Sequence, residues 1–339
     1  MKQALFAAAF GAAALAFPGT GLADSAKKVV VAYQTGAIPY AVGIVNGDFL
    51  KATGWQIDFR RFNSGAEIFA AIASGDVQIG DVGSSPFAAA ASRGLDVKAV
   101  YINSVSGTDE ALVVRNGSGI EKPADLRGKR LAAAPVSTDH YQLLAVLKQE
   151  GIAEKDAEVF ALPQADIVAA YKRGDLDGAF VWDPALTELQ KDGKILLTSK
   201  QVAERGAPTF GAWVVTGDFA KSNPDFLKSF IAVVDKYNKS YASDQAAWGP
   251  NSDNARALAK LLGGTAKEQS DRLQDVVLVP LEVQASDAWL GGGDKSGIAR
   301  ILKDTAGFLK DQKKITAVLP SYADFAAPDY ARAALKLTN

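Results

Sequence analysis

Short valine- and isoleucine-rich runs alternate with helix-period segments through residues 29–216, and this alternation constrains the fold more than any other feature of the chain. The apolar runs fall at 29–33, 55–62, 77–82, 97–103, 111–115, 129–133, 157–162, 176–182, 194–198 and 211–216. Between them, 40–53, 65–74, 84–93, 137–149, 163–173 and 184–191 carry helical spacing, with Gly54 and Gly75 as stop signals. A short helix is also predicted over 122–126. Runs this short and this rich in β-branched residues suit strands buried on both faces. Strand–helix alternation predicts βαβ units, an α/β fold and mostly parallel sheets. From residue 223 the pattern is helical, over 223–246, 252–262, 265–271, 281–289 and 295–313. A chain of 339 residues has length for about two domains. No solenoid repeat or low-complexity linker marks a boundary, so the division has to follow topology; the run at 211–216 is placed to return to the first unit.

Residues 1–23 read as a secretory signal peptide. Lys2 supplies the positive start, 4–17 an alanine-rich apolar stretch, and Gly21-Leu22-Ala23 the small residues before a cut at Asp24. The stretch is shorter than the roughly 20 apolar residues that cross a bilayer. No cysteine follows the cut, which argues against a lipoprotein anchor. The expected location is the periplasm. Zero cysteines exclude disulfides, thiol catalysis and sulfur-ligated metals, and one histidine, His140, excludes histidine-cluster metal sites. A formal net charge of −1 gives no electrostatic case for nucleic acid or an anionic membrane surface. No metal, no cofactor and no enzymatic activity are expected.

Four segments lie where strands end and helices begin, which is where open α/β sheets bind ligands: Tyr33-Gln34-Thr35, Gly83-Ser84-Ser85-Pro86, Ser137-Thr138-Asp139-His140-Tyr141 and Val181-Trp182-Asp183-Pro184. Two offer hydroxyls at a helix N-terminus, where free N–H groups and the helix dipole favour an anion. None contains Lys or Arg, which suits a monoanion held by neutral dipoles. Serine and threonine are also the preferred helix caps, so each segment alone carries that plainer reading. Glu110, at the start of the 111–115 strand, repels a simple anion but pairs with the ammonium of a zwitterion if it faces the same cleft. Trp182 and Trp213 offer an aromatic wall for an ammonium, or core packing. His140 is a candidate donor or cap. Catalytic signatures are weak: no Gly-x-Ser-x-Gly nucleophile turn at Ser84–Ser85 and no Gly-x-x-x-x-Gly-Lys loop.

On these residues the chain resembles the taurine-binding periplasmic proteins of ABC importers and, more broadly, the aliphatic sulfonate and nitrate-type binding proteins. The matching stretches include Val31-Ala32-Tyr33-Gln34-Thr35, Ser74-Gly75-Asp76-Val77-Gln78-Ile79-Gly80, Gly83-Ser84-Ser85-Pro86, Glu110-Ala111-Leu112, Ser137-Thr138 with His140-Tyr141, Val181-Trp182 and Trp213-Val214-Val215. The resemblance covers most of 28–217. It implies a two-lobed type II periplasmic binding protein fold with a two-crossing hinge, lobe 1 over 27–110 and 216–339 and lobe 2 over 111–215. It implies a monomeric receptor that hands taurine or a related amino-sulfonate to a membrane permease. The expected ligand-binding residues are Gln34, Ser84, Ser85, Glu110, Ser137, Thr138, His140, Tyr141, Trp182, Asp183 and Trp213, with the sulfonate on the helix starts and the amine on Glu110. The chain departs from the family pattern in having Gly211 in place of an aspartate, and Asp183 and Asp139 in place of alanine and threonine. Asp183 is the expected replacement for the missing carboxylate, with Asp139 the alternative. The competing functions are a receptor for other sulfonates or nitrate-like anions and a pyrimidine-synthase-like enzyme on the same fold.

Overall fold

The computed structural model describes residues 27–338, so the expected signal peptide lies outside the described residues. Ten strands form two five-stranded sheets of the same plan. They are β1 (Lys28–Tyr33), β2 (Gln56–Arg61), β3 (Ile79–Gly83), β4 (Val97–Val105), β5 (Glu110–Arg115), β6 (Arg130–Ala133), β7 (Glu158–Ala161), β8 (Gly178–Trp182), β9 (Gly193–Thr198) and β10 (Phe210–Thr216). The first sheet has the order β2-β1-β3-β10-β4 and the second β7-β6-β8-β5-β9. Within each, one strand runs against its neighbours: β10 in the first and β5 in the second. The remaining pairings are parallel. The two reversed strands are the ones the chain enters directly after crossing between sheets. Parallel strands therefore end at the crossing side of each sheet and β5 and β10 begin there, so both sheets present chain ends and helix starts to one shared cleft.

The crossings are residues 106–109 and the segment ahead of Phe210. They are hydrogen-bonded to each other: Ser106 N–H donates to the Thr209 carbonyl at 3.2 Å, and Thr209 N–H donates to Ser106 Oγ at 2.8 Å. The expected lobe boundary at 215/216 needs correction. Strand β10 pairs with β3 and β4 from Phe210 onward, so 210–215 belong to the first sheet and the second crossing precedes them. The stretch 40–53 is two helices rather than one, Tyr40–Asn46 and Asp48–Thr53, because Gly47 takes a left-handed conformation (φ 69°) that glycine adopts at little cost. Three further helices escaped the sequence reading, Ser199–Glu204, Gly217–Ser222 and Pro328–Thr338. Helix in the 281–289 region covers only Leu281–Gln284.

Each sheet has its own core. In the first, Trp213 is fully buried between Tyr40 and Phe230, with ring centroids 4.9 and 5.1 Å away, and helices from beyond β10 cover it. The second is built on Leu112, Val114, Leu131, Leu143, Leu147 and Phe180. Burying side chains of this size contributes about 1.5–3 kcal/mol each. Among the described residues, no helix is long and apolar enough to cross a membrane.

Candidate functional site

The cleft between the sheets has a volume of about 130 Å³. At roughly 10–15 Å³ for one water on this measure, that is room for a small molecule of about ten heavy atoms rather than a polymer. Three helix N-termini reach it. Ser64 caps the helix Gly65–Ala73, accepting from Glu67 N–H. Gly83 ends β3 and leads straight into Ser84–Ser92. Ser137 caps Thr138–Gln149, accepting from His140 N–H at 3.0 Å and donating to the Ala134 carbonyl at 2.6 Å. Ser64, Gly65, Ala66, Gly83, Ser137 and Thr138 all line the cleft. Unpaired N–H groups and the positive dipole ends are thus concentrated in one place, as an anion requires.

Two backbone details hold these ends together. Val136, which lines the cleft just before the Ser137 cap, has φ 58°. A β-branched residue pays for that conformation, and such strain persists where surrounding structure imposes it, often at binding sites. Gly83 lies so near the other lobe that an added Cβ would stand 2.9 Å from Thr138 Cγ2. Any side chain at 83 would push apart two helix starts that close on one ligand.

The opposite character lies beside the helix ends. Asp81, Asp109, Glu110 and Asp183 line the cleft, and Arg272 is the cation among its lining residues. Arg272 comes from the helix Ala266–Leu273, far away in sequence, and its Nε lies 3.3 Å from Asp183 Oδ1. Asp183 also accepts from Thr187 N–H at 3.1 Å and Thr187 Oγ1 at 2.5 Å. Glu110 accepts from Thr138 Oγ1 at 2.7 Å. Burial pushes its carboxyl up to about 7, the threonine hydrogen bond opposing. Burial, then the Glu110 charge, raises Asp109 well above the usual carboxylate range. Burial raises Asp81 to about 6, opposed by hydrogen bonds from Tyr40 and Asn103. Asp139 is fully buried behind this group, with both oxygens unpartnered, and burial followed by the Glu110 and Asp109 charges raises it far above its ordinary value. Acids with raised values at a binding cleft keep their protons until a cation arrives to pair with the ionised form.

Six of the eleven sequence-predicted residues line the cleft: Gln34, Glu110, Ser137, Thr138, Trp182 and Asp183. Gln34 Nε2 donates to the Asp81 carbonyl at 3.0 Å, and Trp182 Nε1 donates to Thr35 Oγ1 at 3.2 Å across the two lobes. Ser84 and Ser85 are fully buried at the start of their helix; Ser84 Oγ accepts from Phe210 N–H at 3.4 Å, so its hydroxyl serves the strand rather than the cleft. Three aromatic positions stand away from it. Trp213 belongs to the first core, and Tyr141 packs edge-on against Phe308 at 5.0 Å. His140 is buried, and that burial, with the Lys314 charge, lowers it to about 4 and keeps it neutral. Asp81, Asp109 and Arg272 were not singled out from sequence. Asp81 had one available signal, a charged residue inside a buried strand. Among the described residues, no cluster of three or more His, Asp or Glu side chains is arranged to hold a metal ion.

Residues 34–246 match the NMT1/THI5-like family. The taurine-binding periplasmic protein of Escherichia coli (strain K12) is 41% identical over 314 residues, which is 92% of this chain and 95% of that one. Two solved structures share the architecture. The periplasmic aliphatic sulphonate binding protein SsuA of Escherichia coli superposes with a TM-score of 0.69 at 21% identity, covering 89% of this chain and 91% of its own. The alkanesulfonate-binding protein SsuA of Xanthomonas axonopodis pv. citri, bound to MOPS, gives 0.70 at 20% identity, covering 87% and 97%. The chain belongs to the NMT1/THI5-like family and has the two-lobed periplasmic binding protein fold.

Proposed function

We propose that this protein is the periplasmic substrate-binding component of an ABC importer, and that it captures taurine or a closely related amino-sulfonate. One observation carries the reading: the helix N-terminus bearing Ser137 and Thr138 shares a small cleft with Glu110, a half-buried carboxylate that has a hydroxyl for a partner and no cation among the described residues. A sulfonate accepts hydrogen bonds and stays ionised, which suits the helix ends. An ammonium two carbons away satisfies the acid. The likeness to the taurine-binding protein of Escherichia coli supports the same assignment. In this reading the receptor acts as a monomer and delivers its ligand to a membrane permease. The rival enzyme on this fold has little to work with, since the chain has no cysteine and its one histidine is buried away from the cleft.

Calorimetry with taurine, hypotaurine, ethanesulfonate and nitrate tests the assignment. Taurine is expected to bind with a micromolar or tighter dissociation constant, about −8 kcal/mol or better. Ethanesulfonate or nitrate binding more tightly than taurine would move the assignment to an anion receptor.

A further inference from the structure

We propose that Asp81 is the second carboxylate for the ligand's cation, so that one ammonium is shared between Asp81 on the first lobe and Glu110 on the second. The inference rests on the amino-sulfonate reading above. It assigns a residue that neither the sequence motifs nor that reading had placed in the site.

Asp81 and Gly83 are two apart on β3, so they face the same side of the sheet. Gly83 pairs with Gly211 on the neighbouring β10, as Asp81 pairs with Trp213. The row between Asp81 and the cleft is therefore made of two glycines. Without side chains there, the way to the Asp81 carboxylate is open, and Asp81 lines the cleft although it lies within a strand. The other lobe arrives over that row. Thr138 lies over Gly83, and its hydroxyl holds Glu110 at 2.7 Å. Asp81 and Glu110 thus lie on either side of the Gly83–Thr138 contact.

The partners of each acid then decide between candidates. Asp81 Oδ2 accepts from Tyr40 OH at 2.6 Å and Oδ1 from Asn103 Nδ2 at 2.7 Å. Both donors are neutral, and about two of the four acceptor sites of a carboxylate stay available. Asp183 already has Arg272 and Thr187. Asp109 Oδ1 is turned to the crossing, where a Cβ at Gly107 would stand 2.7 Å from it. Asp139 is buried behind the site and does not line the cleft. Asp81 is left as the accessible, cation-free acid on the first lobe. An amine held by one acid from each lobe contacts both lobes only when they are closed, so the amine itself favours the closed form.

The test is calorimetric, on the mature chain and on Asp81→Asn, with taurine and ethanesulfonate. Asn keeps the shape and an acceptor for Tyr40. Taurine affinity is expected to fall about tenfold or more, as when one member of a buried charge pair is neutralised. Ethanesulfonate affinity is expected to hold or rise. A variant that merely misfolds loses both ligands and the thermal transition. Proton release gives a second reading that needs no variant. Asp81 and Glu110, held up to about 6 and about 7, must both ionise, so taurine should displace more than one proton at pH 6. In Asp81→Asn that release should fall by about half a proton. Unchanged taurine affinity in Asp81→Asn, or wild-type release well below one proton, overturns the assignment of Asp81. A wild-type chain that prefers ethanesulfonate instead overturns the amino-sulfonate reading beneath it.

Discussion

Asp183 and Glu110 sit at the neighbouring ends of two adjacent strands of the second sheet, yet their surroundings differ in the one respect that matters for binding. Glu110 begins β5 directly opposite Trp182, the residue before Asp183. Asp183 finds Arg272 and Thr187 within the protein, and the Thr35 hydroxyl donates to its backbone carbonyl at 3.0 Å. Glu110 has the Thr138 hydroxyl alone, and burial lifts it to about 7. A carboxylate paired internally braces the two lobes; one that lacks a cation is a site. From sequence, Glu110 was the expected main contact for the amine and Asp183 the expected replacement for a missing acid. The geometry gives it the part of a brace and helix cap.

The sharpest break in this comparison is Glu110→Gln. Loss of the charge should weaken taurine binding by about a hundredfold or more, because an ammonium buried without its partner costs several kcal/mol. Ethanesulfonate should be bound as before. Equal loss for both ligands, measured by calorimetry, would mean that Glu110 shapes the cleft and does not read the amine.

Next comes Thr138→Val, which keeps the shape and removes the hydroxyl that holds Glu110. A lost hydrogen bond to a charged group costs about 1.5–3 kcal/mol, so taurine affinity should drop by roughly ten- to a hundredfold. Affinity unchanged on titration would place the ligand elsewhere in the cleft.

Ligand-free stability gives a smaller effect with a definite sign. Glu110 and Asp81 hold their protons above the ordinary carboxylate values in the folded state. As pH rises from about 4, the unfolded chain gives up those protons first, and the stability they contribute is lost through the folded values near 6 and 7. The melting temperature without ligand should therefore be higher at about pH 5 than at about pH 8, and Glu110→Gln should flatten the slope. A wild-type slope of the opposite sign would show that these acids are ionised and paired without ligand.

The smallest effect on taurine is expected from Asp183→Asn, about threefold at most, or under 1 kcal/mol. Its cost should appear in thermal stability, since Arg272 is left buried without its partner. Arg272 then faces the cleft as a free cation, and ethanesulfonate should gain. A loss in taurine affinity as large as that of Glu110→Gln would restore Asp183 as an amine ligand.

The sequence made the fold legible because its signals are local. Valine-rich runs, glycine stops and serine caps marked the strands and helix starts, and the two helix starts with hydroxyls do meet in the cleft. The lobe boundary was misplaced because the run 210–216 reads the same whichever sheet it joins; only the pairing of β10 with β3 and β4 decides it. Within the site, Glu110 was legible as an acid beside an anion-binding motif. Arg272 was not, since nothing near residue 272 hints at a partner at 183. Trp213 stands away from the cleft because of its place along β10 and not its face: Gly211 is at the cleft end of the strand, while Trp213, two residues further in on the same face, is sealed between Tyr40 and Phe230. Asp81 was masked by the motif next to it, where Gly83-Ser84-Ser85 drew the argument to the anion.

The most direct test of the central claim is a crystal structure of the mature chain with taurine bound. The sulfonate is expected at the starts of the helices Ser84–Ser92 and Thr138–Gln149, and the amine within about 2.7–3.2 Å of a Glu110 oxygen. A ligand bound the other way round, with its sulfonate on Arg272 and its amine away from Glu110, would contradict it.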